Sequence, residues 1–185
     1  MWRTIGTVLL TALVANICHG DPTDTPKNKN NDVRPYVNGE KPFIKIENVN
    51  RQAEAWAMCA AVYDIMSQIL DDTPARSQQL QNLANGAQVA VTMTIVSDGL
   101  EDANKPDQFE MLWETAKLSG TELPSTRRTA ILADLESSSR EQREHIFAKL
   151  GETLQVCITN LEFQQIYIDL YRELAKSGLL KLPED

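Results

Sequence analysis

The chain has 185 residues, 42% of them hydrophobic, enough for one domain with a core of ordinary size. It carries 26 acidic against 18 basic side chains, a formal net charge of −8. Phosphate backbones and anionic lipid heads repel such a protein, which argues against nucleic acid as a partner. The charge either serves solubility alone, the commoner case, or favours a partner with a basic surface. Aromatics make up only 6%, while alanine, leucine, glutamine and glutamate are plentiful, a balance that favours helix over sheet.

Residues 1–20, MWRTIGTVLLTALVANICHG, place one cation, Arg3, before an apolar run from Val8 to Ile17. Small residues Cys18 and Gly20 fit the −3 and −1 positions of a leader-peptidase site. The segment reads as a secretory signal cleaved after Gly20. Its apolar core is shorter than the roughly 20 residues a bilayer span needs. A lipid anchor at Cys18 is disfavoured because Ile17 stands where a lipobox has a small residue. Cleavage deletes one cation, Arg3, and no acid, so the net charge moves one unit further negative. No other stretch reads as a membrane span: residues 86–96 are apolar but short and contain Gln88, Thr92 and Thr94. Export places the chain in an oxidising compartment, periplasmic or secreted.

Residues 21–32, DPTDTPKNKNND, have too little to bury to offset ordering entropy and read as a disordered tether. In residues 33–46, Asn38-Gly39 is a tight-turn signal. Pro35 and Pro42 argue against interior strands. Phe43, Ile44 and Ile46 are placed to dock an extended arm on the body. Tether and arm together occupy residues 21–48, and residues 49–182 form the bundle.

The first helix runs over about residues 49–70, capped by Asn48 or Asn50 and stopped at Asp71-Asp72-Thr73-Pro74. Its Trp56, Cys59, Tyr63, Met66 and Leu70 share one side. Thr73 and Pro74 open a second helix that ends near Asp98-Gly99. Within it Gly86, beside Ala84, Ala87 and Ala90, marks a close helix crossing. Pro106 opens a third helix, with Phe109, Leu112, Trp113 and Ala116 on one side and Gly120 as its stop. Ser125 caps a fourth after Leu123-Pro124. Ser138 to Glu141 matches a capping box for a fifth. Gly151 kinks that helix or separates it from a last one over residues 152–176, apolar on so much of its circumference that it reads as the central helix. The expected fold is therefore an all-α, single-domain bundle of five to six helices with an N-terminal arm.

Two cysteines remain after the leader, Cys59 and Cys157, both on apolar helical faces. In an exported chain a structural disulfide tying the first and last long helices is the leading expectation. Buried thiols or a redox pair are the alternatives, the latter weakened by the lack of C-x-x-C spacing. No cofactor or metal is expected. His145 is the sole histidine of the mature chain, and Gln142 stands where an E-x-x-H ligand pair needs an acid. The Ser137-Ser138-Ser139 run has no nucleophile-elbow context and reads as helix capping. Arg127 and Arg128 form a small basic spot that either pairs with Glu122 or Asp134 or meets a partner. Trp113, Leu118 and residues 178–182 are further candidates for a contact surface. Residues 135–143, LESSSREQR, resemble the L-T-x-x-Q element of periplasmic all-helical chaperones. They lack its threonine, helix capping accounts for the pattern, and no family is assigned on it.

These readings converge on an exported, non-enzymatic helical protein that binds another protein as an inhibitor, immunity protein or envelope adaptor of the bacterial periplasm. The alternatives are a carrier or chaperone for an apolar ligand, with a cavity between the second and last helices, and an enzyme working through carboxylates alone.

Overall fold

The computed structural model describes residues 42–100 and 106–180. They form one 3-10 turn, Phe43–Lys45, and five α-helices: α1 (Val49–Ile69), α2 (Pro74–Gly99), α3 (Pro106–Ser137), α4 (Arg140–Thr159) and α5 (Leu161–Lys176). There is no strand among the described residues, and the all-α bundle expected from the sequence is the observed fold. The expected signal peptide, the tether and the Asn38-Gly39 turn lie outside the described residues.

Local grammar explains most helix ends. The Asn48 side chain accepts the Arg51 N–H at 3.0 Å and so satisfies one free donor of the first turn of α1. Thr73 precedes Pro74, whose missing N–H is no loss at the start of α2. The box that opens α4 is Ser139 with Gln142, one residue later than the expected Ser138–Glu141 pair. Ser139 Oγ accepts the Gln142 N–H at 3.3 Å, and Gln142 Oε1 accepts the Ser139 N–H at 2.8 Å. Lys176 sits in the last turn of α5, and Gly178 follows with φ 76°, a conformation open to glycine without steric penalty.

Three expectations are corrected. Residues 106–137 are one helix, with Pro124 inside it. Gly120, expected as a stop, is the residue whose carbonyl would have bonded the N–H that Pro124 lacks. Gly151 does not break α4. The chain breaks at Asn160 instead, so Cys157 belongs to α4, and the disulfide ties α1 to the penultimate helix. Nor is the last helix central, since Ile166 and several of its neighbours face outward.

The central helix is α1. From Ala55 to Tyr63 every residue is buried, which for an α-helix means burial on all sides. Ala55, Ala57, Ala60 and Ala61 make this possible: with only a methyl group each, they let several neighbours come close at once. α1 and α2 form an antiparallel hairpin, pinned beyond its turn by Ser77 Oγ donating to the Ser67 carbonyl at 2.9 Å. α3 returns along α2 and then meets α1, while α4 and α5 cover the remaining sides. The core has two parts. The larger gathers Phe43, Trp56, Cys59, Tyr63, Val91, Met93, Trp113 and Tyr167. The smaller packs Met58, Val62 and Ile65 with Ile131 and Leu150. Burial of each such side chain contributes about 1.5–3 kcal/mol before entropy is counted.

Candidate functional site

Cys59 and Cys157 form the expected disulfide, with both residues buried and Cα atoms 5.6 Å apart. Solvent does not reach the sulfurs, so the bridge acts as a brace. The neighbouring end of the core is aromatic. Phe43 lies edge-on to Trp56 at 4.8 Å between ring centroids, and Trp56 lies edge-on to Tyr167 at 6.0 Å. The docking of Phe43 agrees with the expected arm. Ile44, its neighbour, is 39% exposed.

A polar seam runs beside these rings and was not legible as a group in the sequence. Asn160, at the break between α4 and α5, accepts the Phe43 N–H through Oδ1 at 2.8 Å. Its Nδ2 donates to the Val156 carbonyl at 2.9 Å. Gln52 Nε2 donates to the Tyr167 hydroxyl at 2.9 Å, and Gln164 Nε2 donates to the Leu83 carbonyl at 3.3 Å. Each bond satisfies a buried group that would otherwise be costly. Gln164 also packs over Gly86, where a Cβ would overlap its amide nitrogen, so the close crossing expected at Gly86 is present between α2 and α5. The Tyr63 hydroxyl is buried without a hydrogen-bond partner, and burial pushes its phenol well above the ordinary range.

Arg127 and Arg128 do not pair with Glu122 or Asp134. Arg127 forms an ion pair with Glu54. Arg128 lies 2.5 Å from the Asp64 carboxylate and donates to Gln68 Oε1 at 3.1 Å. Glu54 and Asp64 are ten residues apart on α1, about 15 Å along the axis. Adjacent arginines therefore reach in opposite directions along the helix that α3 meets. All four side chains are partly exposed, so each pair contributes about 0–1 kcal/mol. The basic spot is an internal clamp, because only a fold that brings α3 to α1 supplies its acids.

Trp113 is also turned inward. It is 8% exposed, stacked on Tyr171 with centroids 6.1 Å apart, and Lys117 lies over its ring. Leu118 is exposed as expected. Leu180 is buried, so residue 180 closes the bundle, and residues 181–182 lie outside the described set. His145 is exposed. Among the described residues, no group of three or more His, Cys, Asp or Glu side chains is placed to hold a metal, and no helix is long and apolar enough to cross a membrane.

What the sequence reading missed is the outer line of α3. Its inward side chains include Trp113, Ala116, Pro124 and Ile131. Directly opposite, at 3.6 residues per turn, fall Asp107, Met111, Glu114, Leu118, Glu122 and Ser125. All six are exposed. Met111 is 68% exposed and Leu118 57%. Their seven-residue spacing, with acids between and beyond them, was the available signal.

The fold and these sites define a disulfide-braced helical bundle with an acidic exterior. Comparison with protein-family models, curated proteins and solved structures finds no match to this chain.

Proposed function

We propose that this is an exported, non-enzymatic protein of the bacterial periplasm that binds a partner protein through a basic surface on that partner, in the manner of an inhibitor, immunity protein or envelope adaptor. The observation that carries this reading is how the charges are spent. Arg127, Arg128, Lys117, Arg140, Arg172 and Lys176 each face a carboxylate of the same chain. Acids outnumber bases by 26 to 18. The surplus carboxylates, Asp107, Glu122, Glu136, Glu141 and Glu162 among them, are exposed to solvent. Among the described residues Lys45, Arg51, Arg76, Arg143 and Lys149 face no carboxylate, but the acids left unpaired outnumber them. A surface with that excess attracts an external basic surface, with association slowed by salt.

The other readings have less support. Gln164 and Ile168 fill the seam against Gly86, where a carrier would hold its apolar ligand. The partly buried acids Glu54 and Asp64 face arginines and not one another, unlike a catalytic carboxylate pair.

The test is capture from envelope extracts of the native organism with the chain beginning at Asp21. A stoichiometric basic protein retained at low salt and released as salt rises is the expected result. Capture of nothing, or of acidic proteins only, overturns the reading.

A further inference from the structure

We propose that the outer line of α3 is the docking surface for one class of partner: a basic amphipathic helix that sets two apolar side chains, seven residues apart, against Met111 and Leu118. The inference rests on the basic-partner reading above and adds where the partner sits and what shape it has. Met111 and Leu118 are large apolar side chains more than half exposed on a helix whose opposite side is packed. Seven residues separate them, about 10.5 Å along the axis, the repeat with which one helix meets another along a shallow crossing. Glu114 lies between them on the same line, and Glu122 and Asp107 extend it on either side. Glu114 shares its charge with Lys117 at 2.7 Å, whereas Glu122 and Asp107 project into solvent.

Charge decides among possible occupants. A second copy laid antiparallel on this face and centred on Leu118 would set Glu114 of each copy against Glu122 of the other, a like-charge arrangement that opposes self-association. An anionic bilayer is repelled for the same reason. A helix with lysine or arginine beside its two apolar residues meets both the apolar pair and the flanking carboxylates.

The probe is a synthetic helical peptide of roughly three heptads, with leucine at positions i and i+7 and lysine at the flanking positions. A counterpart carries glutamate for every lysine. Binding to the chain beginning at Asp21 is read by fluorescence anisotropy at low and raised salt. The lysine peptide is expected to bind and the glutamate peptide not to. Met111→Lys and Leu118→Lys each weaken binding about tenfold or more, the equivalent of about 1.4 kcal/mol. Ile166→Lys, on α5, leaves it unchanged. Glu114→Lys/Glu122→Lys reverses the preference between the two peptides. Circular dichroism confirms that the exposed substitutions keep the helical content. Equal binding to wild type and Leu118→Lys overturns this surface while leaving the basic-partner reading intact. No binding of either peptide overturns the surface as well. In that case, envelope capture of a basic protein that persists in Leu118→Lys keeps the wider reading, and its absence removes both. A dimer that forms at this face and disappears in Leu118→Lys overturns the proposed occupant.

Discussion

Gly120 of α3 lies so close to Thr92 of α2 that a Cβ at position 120 would overlap the threonine hydroxyl oxygen and crowd the Gln88 carbonyl at 3.3 Å. Thr92 is buried, β-branched and stiff at χ1, and it donates to that same Gln88 carbonyl at 3.3 Å. Gly120→Ala is therefore expected to destabilise the fold by about 1–3 kcal/mol through overpacking, although alanine is the better helix former by about 1 kcal/mol. In a Thr92→Ala background the clash is relieved and the sign of the Gly120→Ala effect turns favourable. Urea unfolding of the four proteins measures this, and strictly additive effects would remove the close-contact explanation.

The Phe43 turn is held on the bundle by Asn160 and by the face of Trp56. Asn160→Ala leaves the buried Phe43 N–H without its partner, a loss of about 1–3 kcal/mol, while the Val156 carbonyl keeps the Thr159 hydroxyl at 2.8 Å. Amide exchange at Phe43 should accelerate by far more than exchange within α1. Unchanged protection at Phe43 would show that the ring alone holds the turn.

Tyr63 predicts an alkaline weakness. Its folded-state pKa is raised above the unfolded value of about 10, so the native protein holds the phenol proton more tightly. The stability this contributes is fully present below the unfolded pKa and is lost as pH rises beyond it. Melting temperatures from pH 8 upward should fall more steeply above about pH 10 in wild type than in Tyr63→Phe. At neutral pH Tyr63→Phe should be neutral or stabilising, because it removes a buried hydroxyl that has no partner. A marked loss of stability at neutral pH would mean that the hydroxyl is satisfied.

The bridge spans 98 residues of chain. Cys59→Ala/Cys157→Ala should lower stability by about 2–5 kcal/mol. Reductant should bring wild type towards the same midpoint without affecting the variant. Exchange should rise most in α4, whose tie to α1 is then non-covalent. Equal midpoints for wild type and variant in oxidising buffer would show that the bridge contributes little.

The arginine clamp is a weak one. A double-mutant cycle on Arg127→Met and Glu54→Gln should give a coupling of about 0.2–1 kcal/mol, shrinking as salt is added. A coupling several times larger that resists salt would mean the pair is more deeply enclosed than its partial exposure implies.

The legible part of this molecule was local. Asn48, Thr73-Pro74 and Gly178 mark helix ends because a cap is an interaction within one turn of chain. The pairing of Cys59 with Cys157 was legible by elimination, since the third cysteine, Cys18, falls in the stretch read as a leader. The reading failed where a local signal met a distant neighbour. Gly120 and Pro124 look like punctuation, yet Gly120 serves a close approach to Thr92 and the helix runs through both. Trp113 was a candidate for a contact surface, but Tyr171 covers it. Arg127, open between an internal pair and a partner, pairs internally with Glu54, far away in sequence, and not with Glu122 or Asp134 nearby. Met111 and Leu118 went unread as a pair because an apolar residue's exposure depends on which neighbours leave it uncovered.

Sequence alone determined that this chain is helical, where most helices begin and end, and which sulfurs pair, because these follow from backbone hydrogen bonding and side-chain period over a few residues. Tertiary structure decided that α1 is the enclosed helix, that the arginines clamp it, and that the outer line of α3 is left open. Those outcomes depend on how several helices share their faces, and that sharing is set by the close approach that alanine and glycine permit between segments far apart in the chain.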